Sequence, residues 1–431
     1  MDLQTLDIDF SPVLSILQQP PELILWNIFI YGGWVILLIL IFIGAWDYWV
    51  FYIRRKYRES LQYILLTIDV PKNNEQGPET VERLFAELVG ARSGGSKLDI
   101  YFKGYIQSSF SFELVSLGGH VRYFIRLPAQ FRDMVEAAIY SAYPEAQISE
   151  VDDYTAEMPD HFPDEEYDCW ASDLILYNKE FYPIRTYPSF EHSLSKELKD
   201  PLGVLLELMS KLQSGEQLWM QLILTPISND WKKQADNFVK KMLGIKVPVS
   251  KSSAEKILEI PIKLLSAIGG IFFTAPEATK KEEKKEINLS PGERKSLDGV
   301  QNKASKTGFK VKFRTVYVAK KEVFSKNRGV VGFLGAINQF NTLDMNGFKP
   351  DDKAKTSKPM FFGASALAKK QTSLMRAYKQ RDRFFGAKNF ILNVEELATL
   401  YHFPVTISSK VPLIKKTGSK RAEPPLELPT G

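Results

Sequence analysis

The sequence is poor in the residues from which enzymes most often build active sites. Its 431 residues include one cysteine, Cys169, and four histidines. A single cysteine excludes an intrachain disulfide and a thiolate zinc site. No HExxH helix and no G-x-S-x-G turn occurs, and none of the histidines is paired at metal-ligand spacing. These absences exclude the common zinc, thiol and serine-hydrolase classes, and we expect no cofactor.

A nucleotide-hydrolysis motif is also missing. The nearest match to a phosphate-binding loop is GARSGGSK, residues 90–97. A P-loop ends in Gly-Lys-Ser/Thr and lies between a strand and a helix, so that backbone N–H groups face the phosphates. Here the final pair is reversed, and the pattern predicts a Gly/Ser turn after a helix, followed by extended chain. We therefore predict that the chain is not an ATPase.

Basic residues are absent from the first fifty positions, which contain five acids. Between Glu22 and Asp47 lie 24 residues without any charge. As a helix, that run would be about 36 Å long, enough to cross a hydrocarbon core of about 30 Å. Residues 23–52 are therefore predicted to form a transmembrane helix.

The flanks of this segment indicate how it would sit in a bilayer. Aromatic residues prefer the water–lipid boundaries, and basic residues stay on the cytoplasmic side. We thus predict a single-pass protein of the inner (cytoplasmic) membrane, with residues 1–22 outside and the bulk cytoplasmic. A cleaved signal peptide fits poorly because no basic region precedes the run; a buried core helix is the remaining alternative. The predicted anchor residues are Trp26, Trp34, Trp46, Trp49, Arg54, Arg55, Lys56 and Arg58.

The remaining chain predicts an α+β fold in which strands alternate with helices. Residues 60–152 have the order β-α-β-β-α-β, with Leu117–Gly118–Gly119 as a hairpin connection. This order is typical of a ferredoxin-like (split βαβ) module. A second module of the same kind is predicted over residues 170–345, interrupted by a partly disordered insertion at 247–307. The other predicted segments are an acidic linker at 153–169, a basic helical region at 346–409 and a basic Pro-rich tail at 410–431.

Positive charge is concentrated in the last third of the chain. Residues 301–431 hold 25 Lys and Arg against 9 Asp and Glu. This excess favours an anionic partner, although a solvated lysine-rich surface explains it equally well. Basic and aromatic residues occur together near position 380, where they could contact nucleic acid or form one face of a packed helix. The candidate contacts are Arg376, Lys379, Arg381 and Arg383.

Asn393 predicts the start of a short helix. Glu395 and Glu396 follow in its first turn, where negative charge favours the positive end of the helix dipole. Leu397, Leu400 and Tyr401 would form its buried face, and Pro404 would end it. By itself, this pattern indicates an amphipathic packing helix.

Taken in order, several segments resemble a known family. They are the anchor with its basic exit, ILLTIDVPKNNEQGPETVERLFAELVG, FELVSLGGHVRYFIRLPAQFRDMVEAAIYSAYPEAQI, FILNVEELATLYHFP and the closing KKTGSKRAEPP. The series is similar, over most of residues 23–425, to the membrane-anchored N-terminal region of bacterial type IV secretion and conjugation ATPases of the HerA/FtsK superfamily. In that family a RecA-like motor follows the segment resembling RAEPP, and no such motor is present in this sequence.

The resemblance implies a membrane-anchored, non-catalytic assembly or docking protein for a separate motor ATPase of a translocation machine. The expected partners are the membrane and that ATPase, with homo-oligomerisation left open. The alternative is a membrane-tethered nucleic-acid-binding protein that uses the basic C-terminal region. A third hypothesis, an enzyme with an unrecognised site, has no residue constellation in its favour.

Overall fold

A computed structural model describes residues 34–71, 74–190, 200–245, 289–357 and 363–405, together with positions 20, 26, 29 and 30. The predictions for residues 1–22, for most of the insertion and for the tail at 410–431 therefore lie outside the described residues. The chain divides into two compact units. The first comprises residues 1–62 and 93–107, and the second comprises residues 63–92 and 108–431.

The first unit contains the long helix α1, Trp34–Ser60, and the short helix α3, Lys97–Phe102. The segment Leu37–Ser60 is long and apolar enough to cross a membrane. Helix α1 continues past the predicted end at residue 52. Arg55 Nε contacts Glu59 Oε1 at 2.8 Å, an i,i+4 pair of the kind that supports an exposed helical turn.

Helix α3 corrects the prediction of extended chain after the Gly/Ser turn. Ser96 Oγ accepts the backbone N–H of Asp99 at 3.1 Å, and Asp99 Oδ2 accepts the backbone N–H of Ser96 at 3.1 Å. This reciprocal capping box satisfies two backbone donors at the helix start. The segment also leaves the predicted module at 60–152, since residues 93–107 group with α1.

The second unit is built on one nine-stranded antiparallel sheet. Its main path has the order β4-β1-β3-β2-β6-β7-β5-β8, and β9 pairs with β7 off this path. The strands are β1 Tyr63–Asp69, β2 Phe110–Leu117, β3 His120–Pro128, β4 Gln147–Glu150, β5 Tyr167–Leu176, β6 Glu216–Pro226, β7 Gly308–Lys320, β8 Phe348–Lys355 and β9 Phe390–Asn393.

The main path of the sheet, without β9, consists of two four-stranded halves with matching strand order. Read from its outer edge toward the centre of the sheet, the first half has the order β4-β1-β3-β2 and the second half has the order β8-β5-β7-β6. In both halves, the first strand along the chain lies between the fourth and the third, and the second strand lies at the centre of the sheet. The two second strands, β2 and β6, pair with each other from Phe110↔Leu224 to Leu117↔Gln217. This seam makes the two halves one continuous sheet.

Helices cover the sheet on both faces. The remaining ones are α2 Pro78–Leu88, α4 Arg132–Ala142, α5 Gly203–Ser210, α6 Asp230–Met242, α7 Pro291–Ser305, α8 Gly332–Asn338, α9 Gly363–Lys379 and α10 Val394–Leu400. Helices α2, α4, α5, α8 and α10 bury their apolar sides in the larger core. Helix α9 packs on the opposite face, in a smaller core that includes Trp219 of β6. Neighbouring positions of β6 point to opposite faces, so Leu218 and Met220 belong to the larger core.

Three predicted segments differ from the structure. Within the predicted insertion, residues 291–305 form a helix started by Pro291 and a Ser290–Glu293 capping box. The predicted basic helical region also contains the strands β8 and β9. The sequence of β8, FKPDDKAK, is polar, which suits a strand at the edge of a sheet but lacks the apolar alternation by which a strand is predicted. In the second predicted module, the apolar spacing of residues 322–341 predicts one helix, but the regular α-helix there covers only Gly332–Asn338, after a π turn at Asn327–Val331.

The predicted capped helix near position 393 is confirmed as α10. Asn393 Oδ1 accepts the backbone N–H of Glu396 at 2.9 Å, and Glu396 Oε2 accepts the backbone N–H of Asn393 at 2.9 Å. Leu397, Leu400 and Tyr401 are buried, as predicted.

Replacing the capping side chain should weaken the core around α10. We expect Asn393→Ala to lower the free energy of unfolding of the full chain by about 1 kcal/mol, because the backbone N–H of Glu396 loses its side-chain acceptor. Urea denaturation of the two proteins in detergent measures this difference in the free energy of unfolding. Asn302→Ala, at an exposed position of α7, is the matched control and should change little; equal losses in both variants would contradict the capping role.

Candidate binding cleft

A cleft of about 800 Å³ lies in the second unit. It lies among the end of β5 and the turn after it, β8, the middle of α9 and the loop that leads into β9. Its apolar lining includes Leu176, Phe181, Leu374, Phe385 and Phe390. The mixture of apolar wall and charge is typical of a ligand or peptide site.

The charged lining is predominantly positive. Five lysines, from four separate segments, border the cleft, against the two acids Glu180 and Asp351. Glu180 accepts the backbone N–H of Ile391 at 3.0 Å, and Asp351 accepts that of Ala354 at 3.0 Å. Across the described ranges, none of the five lysines forms an ion pair with a carboxylate, and Lys179 contacts the Phe238 ring at 4.9 Å. The lysines are Lys179, Lys353, Lys369, Lys370 and Lys388.

The loop beneath the cleft is held by buried charges on the sheet. Arg314 of β7 contacts Asp173 of β5 through Nε and Oδ1 at 2.7 Å, and both side chains are fully buried. The same guanidinium donates to the backbone carbonyls of Asp382 at 3.1 Å and Phe385 at 3.0 Å. Lys312 Nζ donates to the Phe385 carbonyl at 3.0 Å and also to that of Ala387. The loop carbonyls are therefore fixed by two cations.

Asp173 also fixes the loop directly. Its Oδ2 accepts the backbone N–H of Ala387 at 2.8 Å. Gly386 has φ +85°, and a Cβ there would lie 2.1 Å from the same carboxylate, so glycine is needed both for the conformation and for the close approach. This preorganised loop places Phe385 and Lys388 at the cleft. The sequence offered a sign of this loop in FKVKFR, where three cations alternate with apolar residues on one strand.

The four predicted nucleic-acid contacts are not brought together on one surface. Arg376 is exposed on α9. Lys379 Nζ contacts Asp160 Oδ1 at 2.6 Å and also donates to the Met158 carbonyl. Arg383 donates from Nη1 to Thr225 Oγ1 at 2.8 Å.

Arg381 is buried at the seam between the halves. Its Nε donates to Glu113 Oε1 at 2.9 Å, and its Nη2 donates to Glu113 Oε2 at 3.1 Å. Its guanidinium also binds Asp153, while Gln221 Nε2 and Tyr154 Oη donate to the two Glu113 oxygens. A side chain held by two carboxylates at 6% exposure serves packing and is not presented to an external ligand.

The carboxylates of this cluster are acidified by their partners. Burial alone would raise the pKa of Glu113, but the charge and hydrogen bonds of Arg381, with those of Ser111 and Tyr154, lower it below its ordinary 4.5. The pKa of Asp153 is lowered as well, since the hydrogen bonds and charge of Arg381 outweigh its partial burial.

The predicted anchor residues lie on helix α1 or just before it. Trp34, Trp46, Trp49, Arg54, Arg55, Lys56 and Arg58 all belong to α1, and Trp26 precedes it. The four tryptophans are exposed, at 62% for Trp26 and 38% for Trp46. Exposure of large apolar rings on a long helix is what a lipid-facing surface requires.

Metal-ligating side chains are scattered through the described residues. No group of three or more His, Cys, Asp or Glu side chains that could hold a metal ion occurs among them. Burial raises the pKa of the Cys169 thiol, which makes it a poor nucleophile. His402 Nε2 contacts Asp200 Oδ1 at 3.0 Å in the interior. The lysines and the apolar wall of the cleft suit a ligand that has an anionic group beside an apolar one.

The fold and cleft define a mixed helix-and-sheet protein with one candidate membrane helix and a basic binding cleft. A family model described as "Domain of unknown function (DUF8128)" matches residues 58–411. The chain therefore belongs to the DUF8128 family. No curated protein matches the sequence.

The acidified seam carboxylates predict acid sensitivity. A carboxylate with a depressed folded-state pKa contributes stability above its unfolded pKa and loses that contribution as the pH falls through the folded value. Glu113 and Asp153 have ordinary values of 4.5 and 3.8, so the loss should occur below about pH 4.5. We expect urea denaturation of the full chain in detergent to show a declining free energy of unfolding below that pH.

The matched control for acid sensitivity is Arg381→Met with Glu113→Gln, which removes both charges of the buried pair. Its free energy of unfolding should depend less steeply on acid pH than that of the wild type. Parallel pH profiles would show that the seam cluster does not contribute.

Proposed function

We propose that the chain is a non-catalytic, single-pass membrane protein that docks a separate motor ATPase of a type IV secretion- or conjugation-like translocation machine. The lysine-bordered cleft is the observation that carries this proposal. It presents exposed cations beside apolar surface on a preorganised loop. In the described ranges it is not accompanied by a metal-ligand cluster or a reactive thiol.

The membrane part of the proposal rests on α1. Its apolar length suits a bilayer, and the four basic residues that follow Trp49 favour a cytoplasmic exit, with the N-terminus outside. We propose the inner (cytoplasmic) membrane as its location. Such an anchor would confine the soluble body, and therefore the cleft, to the membrane where a translocation machine assembles.

We interpret the two halves of the sheet as two ferredoxin-like modules. Support comes from the strand order of each half, in which the first and third strands are neighbours in the middle. Further support comes from α2 and α4, which follow the first and third strands of the first half and bury their apolar sides in the larger core. Joined through β2 and β6, the modules would form a rigid docking platform.

The cleft favours an acidic segment with apolar side chains as its partner. Lysine ammonium groups attract carboxylates without demanding a fixed geometry, whereas the aromatic and leucine wall rewards burial of apolar groups. A surface segment of the motor protein with alternating acidic and apolar residues would satisfy both.

Removing positive charge from the cleft should weaken the binding of the motor ATPase. We expect the triple variant Lys353→Gln, Lys369→Gln and Lys388→Gln to lower recovery of a motor-type ATPase at least several-fold when the full chain is pulled down from solubilised membranes. Mass spectrometry of the eluate measures this. Absence of such an ATPase from the wild-type eluate would sink the proposal.

The matched control for the pull-down replaces three exposed lysines outside the cleft. Lys232, Lys240 and Lys241 lie on α6, and their replacement by glutamine removes the same charge. This variant should recover as much ATPase as the wild type. Equal loss in both variants would indicate a general charge effect and contradict docking in the cleft.

Nucleic-acid binding is a second candidate function, favoured by two exposed rings beside the lysines. Phe384 and Phe385 are exposed at 62% and 40%, on the loop that Arg314 and Lys312 hold. Exposed rings next to cations provide stacking surface for unpaired bases and counter-charge for phosphates. Arg376 and the cleft lysines would then supply the phosphate contacts in place of the buried Arg381.

Retardation of a single-stranded oligonucleotide by the full chain tests this second function. Binding by phosphate contacts should be present at about 50 mM salt and largely lost at about 200 mM. Phe384→Ala with Phe385→Ala should weaken it by at least about 1 kcal/mol, roughly fivefold, because stacking is lost. Tyr140→Ala, another exposed ring, is the control; no retardation of the wild type at low salt would remove the idea.

A further inference from the structure

A second feature of the first unit lies alongside the candidate membrane span. Residues 93–107 form a loop with the short helix α3, and they pack against α1 at two levels. The Tyr105 ring lies 5.7 Å from that of Tyr57, and the Phe102 ring lies 6.4 Å from that of Trp46. Eleven residues of helix separate these levels, about 16 Å. The segment therefore runs along α1 from its basic end toward its apolar part.

The packing of this segment on α1 is close and specific. Gly104 has φ +70°, and a Cβ there would lie 2.3 Å from the backbone carbonyl oxygen of Ile53, so only glycine permits the approach. Trp49 Nε1 donates to the Tyr101 carbonyl at 3.3 Å, and the Tyr101 ring lies 6.0 Å from that of Trp46. These contacts fix which level of α1 the short helix occupies.

Despite that packing, α3 leaves its apolar side chains uncovered. Leu98 is 68% exposed, Phe102 58% and Tyr101 41%. Three large apolar groups on a six-residue helix would be unfavourable in water. The charges on α3 and next to it are Lys97, Asp99 and Lys103, and Asp99 Oδ1 contacts Lys103 Nζ at 2.8 Å, which neutralises the only acid.

The level of α3 is compatible with the lipid boundary. Arg54, the first basic residue after the apolar run, lies eight residues beyond Trp46, about 12 Å along the helix axis. Basic residues at a membrane exit lie among the headgroups, a layer of about 5–8 Å on each side of the hydrocarbon core. With Arg54 at the outer part of that layer, Trp46 and the α3 rings that contact it reach the acyl boundary.

We propose that α3 is an in-plane membrane helix whose Leu98 and Phe102 side chains insert into the lipid beside the span. The occupant of this surface is the bilayer, because the exposed rings continue the lipid-facing surface of α1. The inference rests on the proposed membrane anchoring and adds a second contact. Short amphipathic helices bind in this way, with the apolar side at the headgroup–acyl boundary and lysines toward water.

Site-specific fluorescence quenching tests the insertion. The full chain with Cys169→Ser would receive one cysteine at Leu98 or Phe102, labelled with an NBD fluorophore and reconstituted into nanodiscs with doxyl-labelled lipid. We expect both positions to lose most of their emission and to show a blue-shifted maximum. The side chains replaced by cysteine are exposed, whereas Cys169 is buried, so unfolding midpoints equal to that of the wild type would verify the fold of every variant.

Two further positions separate the possible failures. Phe42→Cys reports the span, and Val204→Cys, an exposed apolar position of α5, is the matched control that should not be quenched. Quenching at 42 with positions 98 and 102 resembling 204 would overturn the insertion and leave the anchor intact. No quenching at 42 would overturn the anchor and the insertion together. Oxidative cross-linking of two chains through position 98, without quenching, would assign the surface to a second copy and also overturn the proposal.

Discussion

The pairing of β2 with β6 is the interaction on which the second unit depends. Each strand is the inner edge of its own half, and an unpaired edge would expose a row of backbone donors and acceptors. Their antiparallel register from Phe110↔Leu224 to Leu117↔Gln217 satisfies both edges at once. It also brings Glu113 and Gln221 together on one face, where Gln221 Nε2 donates to Glu113 Oε1 at 3.0 Å. Joining the halves therefore creates a buried carboxylate that needs a cation.

Arg381 supplies that cation and thereby sets the path of the chain after α9. It adopts φ 50°, which a non-glycine residue accepts only when its surroundings stabilise it. From there the loop runs to Arg314, Lys312 and Asp173, which hold the backbone from Asp382 to Ala387. Two buried ionic clusters thus fix the two ends of one loop. Their net contribution to stability is small because desolvation offsets attraction, but their geometry is specific. The cleft owes its shape to this specificity.

The two units place their apolar side chains in different environments. The first exposes apolar rings on α1 and α3, which is unfavourable in water, while the second buries its apolar residues on both faces of a sheet. In the sequence, the α3 segment lies between α2 and β2, which both belong to the second unit. The chain therefore passes from the second unit to the first and back again. In the proposed arrangement, the anchor and α3, which are separated in sequence, would attach the chain to the membrane at two points.

Local pattern alone was enough to predict the apolar helix, the four strands β1 to β4 and the Asn393 cap, because each depends on hydrophobic period or on a capping residue next to it in the chain. Strands β8 and β9 and helix α3 were missed, since their letters are polar or few and only pairing or packing with distant residues stabilises them. The basic residues near position 380 are neighbours in sequence, but in the structure Arg381 is buried and Arg376 is exposed. Which cations reach solvent and which neutralise a buried carboxylate depends on residues up to 268 positions away in the chain. Tertiary structure alone decides that choice, because a charge is stabilised by the groups that surround it in space.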